Sequence, residues 1–203
     1  MTSLAETRDN ETGNHIRRTQ LYVKALAERL RNHPRFEAVL NERMIELLYK
    51  SAPLHDIGKI GIPDSILLKP GKLTVEEFEV MKTHTTLGRK AIEDAERRLG
   101  MRVAFLSVSK EIAYSHQEKW DGSGYPQGLA GDEIPVSARL MAVADVYDAL
   151  INKRVYKAAF SHDQACSTIV KGKGTHFDPD MVDAFVDIAE DFRSIAQKYP
   201  DPE

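Results

Sequence analysis

Four histidines and two aspartates, His15, His55, Asp56, His84, His116 and Asp145, offer nitrogen and oxygen donors from helices or helix ends whose faces otherwise read as buried. An isolated carboxylate is strongly disfavoured in apolar surroundings, so Asp56 and Asp145 require a cation, and imidazoles with carboxylates are suitable ligands for a divalent metal. One ion would use part of this set and two would use all of it. Taken singly, each histidine reads as an ordinary hydrogen-bonded residue; their joint placement is what argues for metal. His55-Asp56-Ile57-Gly58-Lys59 adds an ammonium group to an imidazole and a carboxylate directly after an apolar helical run, a combination suited to a metal and a phosphate. His33, His162 and His176 sit beside turn or cap signals and are assigned structural roles.

The elements that must position these groups are helices. Ile16, Val23, Leu26 and Leu30 follow helical spacing, and Met44, Ile45, Leu47 and Leu48 form a second run that stops at Ser51-Ala52-Pro53. Thr74 with Glu77 makes a capping box, and the helix it starts is expected to place Phe78, Met81 and His84 close to one face, with His84 inward. In the stretch from Val103 to Glu118, Phe105, Val108, Ile112 and His116 recur at intervals of three and four. A largely apolar helix from Ser137 to Asn152 is interrupted by Asp145 and Asp148, and Ser161 with Gln164, then Asp178-Pro179, mark two further starts. Strand alternation is lacking, so the expected architecture is all-α, a bundle of about seven helices. Lys119 to Pro135 carries four of the twelve glycines together with Trp120 and Tyr125, and reads as a long, ordered, functional loop.

With 203 residues, the chain fits one domain that buries roughly 70% of its unfolded surface. A formal charge of −3 argues against a nucleic-acid polymer as the main partner while leaving room for a small anion on a local basic cluster. Cys166 is the lone cysteine, which removes thiolate metal sites and oxidative folding and fits a reducing cytoplasm. Residues 1–10 carry no apolar signal core and read as a linker remnant; no uninterrupted apolar run is long enough to span a membrane.

The chain resembles the HD-GYP family, a branch of the HD-domain metal-dependent phosphohydrolases, from Glu11 to about Phe192, with 193–203 left as a tail. The resemblance rests on Glu11-Thr12-Gly13-Asn14-His15, His55-Asp56-Ile57-Gly58-Lys59-Ile60-Gly61-Ile62-Pro63-Asp64, and Lys82-Thr83-His84. It continues through His116-Gln117-Glu118-Lys119-Trp120-Asp121-Gly122-Ser123-Gly124-Tyr125-Pro126, Val143-Ala144-Asp145-Val146-Tyr147-Asp148-Ala149-Leu150, and Gly174-Thr175-His176-Phe177-Asp178-Pro179. It implies an HD-domain-like bundle with a long GYP loop, and a bacterial cytoplasmic phosphodiesterase that cleaves cyclic di-GMP to pGpG and in some members GMP. In such proteins a sensor or receiver domain often belongs to a longer chain.

Carried over position by position, the resemblance puts metal ligands at His15, His55, Asp56, His84, His116 and Asp145, with Asp56 bridging two ions and Glu11 either a weak ligand or a group that supports the ligands from outside. Where many members have a second histidine after the first, this chain has Gln117, so two divalent ions are expected rather than three. Iron or manganese is preferred, with nickel, cobalt and zinc compatible. Two such ions would lower the pKa of a shared water towards ~7, giving a dinuclear metal-activated hydroxide for in-line attack on phosphorus. Asp56 and Lys59 form the expected catalytic pair; Lys59, Arg154 and Lys157 match phosphate-contact positions. Gly124, Tyr125 and Pro126 look like a positioning lip or a docking loop for a signalling partner. Asp148 reads equally as a partner for a ligand histidine or as an exposed helix residue. A second reading is a low-activity or pGpG-preferring domain acting mainly as a nucleotide sensor and protein-interaction module; a mixed cyclic dinucleotide is a further candidate substrate.

Overall fold

The computed structural model describes residues 13–152 and 159–201. Its α-helices are α1 (Gly13–Leu30), α2 (Glu42–Ser51), α3 (Asp64–Leu67), α4 (Val75–Lys82), α5 (His84–Leu99), α6 (Ala104–Ser115), α7 (Val136–Ile151), α8 (His162–Lys171), α9 (Pro179–Asp187) and α10 (Ala189–Lys198). Short 3-10 turns occupy Ala52–Leu54, Ile57–Gly61 and Gly131–Glu133. Among the described residues the β geometry amounts to two isolated bridges, Asp121 with Ala130 and Lys173 with Phe177. The expected all-α architecture is therefore what forms, and no helix among these residues is long and apolar enough to cross a membrane.

The local signals act as anticipated where they are local. Asn41 caps α2 by accepting from Met44 N, and Pro53, which has no N–H to donate, stands in the turn where that helix ends. Thr74 and Ser161 both complete reciprocal capping boxes, with Glu77 and Gln164. Asp178 accepts from Asp180 N at the start of α9, with Pro179 following it.

The helices outnumber the seven or so expected because the four-residue α3 forms and because α4 and α5 are separate. The chain turns at Thr83, so His84 opens a new helix; it points inward as expected, whereas Phe78 is 46% exposed. A second division at Ile188 separates α9 from α10, and α10 runs beyond residue 192 to Lys198.

The core is built around α1, which packs on α2, α7, α9 and α10. Val23 and Leu26 of α1 and Leu40, Leu140, Met141 and Val143 are fully enclosed. Tyr22 stacks on Phe192 with ring centroids 4.4 Å apart, and Tyr147 meets Phe192 edge-on at 5.1 Å. This aromatic layer pins α1 to α7, the two helices that carry His15 and Asp145. On the other side, the Ile57–Gly61 turn and α6 both pack against α5, bringing His84 and His116 towards the His55-Asp56 step.

Candidate metal centre

All four ligand-type imidazoles are buried, and each has its Nδ1 committed to a nearby acceptor. His55 Nδ1 lies 2.9 Å from Ala52 O, His84 Nδ1 2.8 Å from Met81 O, and His116 Nδ1 3.0 Å from Ile112 O. His15 Nδ1 lies 2.8 Å from Asp148 Oδ2, across 133 residues of chain. A carbonyl or carboxylate oxygen only accepts, so Nδ1 carries a proton in each ring, and in the neutral ring Nε2 is left with a lone pair. That arrangement is the usual support of a metal-bound histidine. It also settles Asp148 as a partner for His15, buried rather than exposed.

The Nε2 atoms converge on two carboxylates. Asp56 Oδ1 stands 3.2 Å from His84 Nε2 and 3.5 Å from His116 Nε2, while Oδ2 stands 3.2 Å from His55 Nε2. Asp145 Oδ1 lies 3.9 Å from His55 Nε2. Two triads result, His15/His55/Asp145 and Asp56/His84/His116, with the donor atoms of each within 4.8 Å of one another. They adjoin at a single step of the chain, His55 to Asp56.

The donor set fits a cation. His84 Nε2, His116 Nε2 and Asp56 Oδ1 are buried and make no hydrogen bond among the described residues, although they face one another. Burial lowers the pKa of His116, favouring the neutral ring whose Nε2 is a bare lone pair. Burial also works against ionisation of Asp56, but the adjacent Lys59 charge outweighs it and holds the carboxyl well below the ordinary carboxylate range. With the imidazoles neutral, their lone pairs and the anionic oxygen pointed together repel, and a divalent ion would satisfy them. Lys59 Nζ sits 2.8 Å from Asp56 Oδ2, one turn along, at the mouth of the same cluster.

The GYP loop forms a wall of this centre. The Tyr125 ring stands edge-on to His84 at 6.4 Å and to Phe78 at 6.2 Å, with Lys82 Nζ 5.7 Å from its centroid. Burial, then the charges of Asp56 and Asp145, pushes its phenol up to about 12. A Cβ on Gly124 would come within 2.4 Å of Lys119 N, so only glycine lets the loop fold back this closely. Trp120 N donates to His176 O at 3.1 Å and Asp121 N to Thr175 O at 2.9 Å, tying the loop to the Gly174–Pro179 segment. Trp120 also covers the guanidinium groups of Arg35 and Arg139, at 5.5 and 5.6 Å, and both arginines bind the buried Asp178.

Two supporting residues escaped the sequence reading. Glu118 is buried and accepts from Gln127 N at 2.7 Å and Leu129 N at 3.1 Å, one carboxylate oxygen for each, and so shapes the loop from within. Arg18 is buried beside His15 and binds Asp148 through Nε at 2.6 Å and Nη2 at 2.9 Å. The signal for Arg18 was present: it shares the His15, Thr19, Tyr22 and Leu26 face, where a charge needs a carboxylate. Glu11, Arg154 and Lys157 lie outside the described residues.

Residues 3–181 match the family model described as "HD domain". The chain is 61% identical over 201 residues to a protein of Vibrio cholerae serotype O1 named "Cyclic di-GMP phosphodiesterase", covering 99% of this chain and 41% of that one. It is 40% identical over 201 residues to another from the same organism, "3'3'-cGAMP-specific phosphodiesterase 2", covering 99% of this chain and 36% of the relative. The chain thus spans about two-fifths of the length of these curated relatives. Among solved structures, an HDG"Y"P protein from Bdellovibrio bacteriovorus shares the fold with a TM-score of 0.60 at 19% identity, over 85% of this chain and 51% of that one. With its ordered motifs, its helical architecture and these likenesses, the chain belongs to the HD-domain family, in its HD-GYP branch.

Proposed function

We propose that this chain is a metal-dependent phosphodiesterase that opens cyclic di-GMP to pGpG and carries some of it on to GMP. The observation that carries the reading is the pair of adjoining triads, whose buried donor atoms face one another. The name of the 61% identical relative supports the choice of substrate. His15, His55 and Asp145 would hold one ion and Asp56, His84 and His116 the other, with the two Asp56 oxygens turned towards different histidines. Two divalent transition-metal ions bound there, iron or manganese by preference, supply Lewis acidity towards a phosphate oxygen and acidify water towards ~7.

The residues divide the remaining work. Lys59, at the mouth of the cluster, meets a phosphate oxygen and offsets its charge; Arg154 and Lys157 fill the matching motif positions with a bidentate and a point-charge donor. Tyr125 closes the side of the site against His84, holding the ring and narrowing access for water. Hydrolysis forms one bond from a water oxygen to phosphorus and breaks the bond to the ribose 3′ oxygen, which leaves with a proton. We further propose a sensor or receiver domain in a longer chain, and a cytoplasmic setting in which a signalling partner meets the GYP loop.

The test couples elemental analysis of anaerobically purified protein with product analysis on cyclic di-GMP, pGpG and 3'3'-cGAMP. Two ions per chain and turnover of cyclic di-GMP, both lost in Asp56→Ala, are expected. Metal-loaded protein that leaves cyclic di-GMP and pGpG intact, with Asp56→Ala changing nothing, would end the enzyme reading. The mixed dinucleotide belongs in the panel because a 40% identical relative is named for it.

A further inference from the structure

Asp148 holds His15, but something must hold Asp148. Its Oδ1 accepts from Arg18 Nε at 2.6 Å, and its Oδ2 accepts from Arg18 Nη2 at 2.9 Å and Asn152 Nδ2 at 3.0 Å, besides lying 2.8 Å from His15 Nδ1. The opposite edge of the Arg18 guanidinium is gripped by the segment that follows α10. Nη1 donates to Tyr199 O at 2.7 Å and to Asp201 Oδ1 at 2.9 Å, and Nη2 donates to Asp201 Oδ2 at 3.2 Å. All five guanidinium N–H groups are thereby used, two on Asp148 and three on Tyr199 and Asp201. A guanidinium that is almost wholly enclosed cannot turn once both forks are engaged, and its plane dictates where the Asp148 carboxylate lies.

The same segment grips the first turn of α1 at two more points. Asn14 Nδ2 donates to Pro200 O at 2.5 Å, and the Arg17 guanidinium lies 4.6 Å from the centre of the Tyr199 ring. Asn14, Arg17 and Arg18 flank His15, so contacts from three consecutive residues, Tyr199, Pro200 and Asp201, fix the turn that presents one ligand histidine. No comparable strap reaches His84 or His116 among the described residues; their Nδ1 atoms rest on carbonyls of the preceding turn.

We propose that Tyr199–Asp201 is a latch on the His15/His55/Asp145 triad, with Asp201 and Arg18 acting as positioning residues that set the aim of His15 through Asp148. The proposal rests on the metal-site reading above but not on which nucleotide is cleaved. It predicts an asymmetry: loss of the latch weakens one metal step and spares the other.

Mn2+ alone is the probe, titrated into metal-free protein by calorimetry and by chelator competition, with the melting temperature recorded in parallel. For wild type, two steps are expected. Asp201→Ala should weaken one step by ~10-fold and Asp148→Asn by ~10- to 100-fold, the range for outer partners of a ligating histidine, with the other step unchanged. Asp201→Glu, which keeps a two-oxygen acceptor, should restore most of the loss, whereas Asp201→Asn should not. Equal weakening of both steps with a fallen melting temperature, in Asp201→Ala and Asp201→Asn alike, would reduce the segment to a general support and overturn the latch. Wild type binding two ions with Asp201→Ala identical to it would overturn the latch alone. Wild type taking up no Mn2+ would overturn the metal-site reading and the latch together.

Discussion

Gly58 lies against the backbone of His84 so closely that a Cβ added to it would stand 1.8 Å from His84 O and 2.4 Å from Gly88 N. Backbone atoms cannot swing aside as a side chain can. This contact seats the 3-10 turn after the HD dyad on the first turn of α5, and it brings Asp56 Oδ1 within 3.2 Å of His84 Nε2. Gly58→Ala is expected to cost at least the upper part of the ~1–3 kcal/mol typical of overpacking, and to cut metal content by separating Asp56 from His84. Chemical denaturation and elemental analysis check both parts; a variant with wild-type stability and full metal content would contradict the contact.

Glu118 governs the GYP loop through two backbone bonds, to Gln127 N and Leu129 N. A glutamine there has one accepting oxygen, so it turns an N–H towards an N–H. Glu118→Gln should destabilise the protein by about 1–3 kcal/mol and raise amide exchange across residues 119–135 more than in α1 or α7. Unchanged exchange in the loop would show that Gly124 and the Trp120 contacts suffice to hold it.

How far the site could be read from sequence depends on how local each cause is. The capping boxes at Thr74 and Ser161 and the stop at Pro53 lie within four residues of their partners, and each forms as expected. The break at Thr83 leaves no mark in the Phe78, Met81 and His84 spacing, which suits a continuing helix, and the contact that the next helix makes with Gly58 is remote in sequence. Asp148 stayed ambiguous because its partners, His15 and Arg18, lie 133 and 130 residues away. The six donors could be gathered without that knowledge, because their polar character on apolar faces is written in the chain itself.

His176, which belongs to neither triad, gives a pH signature of its own. Burial, then the charge of Lys119, holds its imidazole below the ordinary value of 6.5 against the pull of Asp121 and Asp145. The folded chain therefore binds fewer protons here than the unfolded chain, so the stability contributed is intact above about 6.5 and is lost as pH falls through that value towards the lower folded one. Metal-free His176→Gln should lose less stability than wild type between about pH 7.5 and about 5.5, measured as the shift in denaturation midpoint. Parallel declines for the two proteins would assign the effect to other groups.

Metal removal should be visible as a loss of stability, because ions that bind only the folded state stabilise it by about 2.7 kcal/mol at a free concentration ~100 times the dissociation constant. Calorimetry should show the melting temperature rising on Mn2+ addition and returning with chelator. His84→Ala, which removes a donor from one triad, should retain only part of the rise. An identical melting temperature with and without metal would mean that neither triad binds.

The meeting of the two triads at the His55-Asp56 step works as a ruler. Because their nearest members are consecutive residues, the distance between the halves is set by one peptide unit and two side chains rather than by how helices drift against each other. Movement of one helix against another can tilt or uncover such a pair without changing its gauge. Control is then exerted most readily on access and on the outlying ligands, while the spacing at the centre is inherited unchanged.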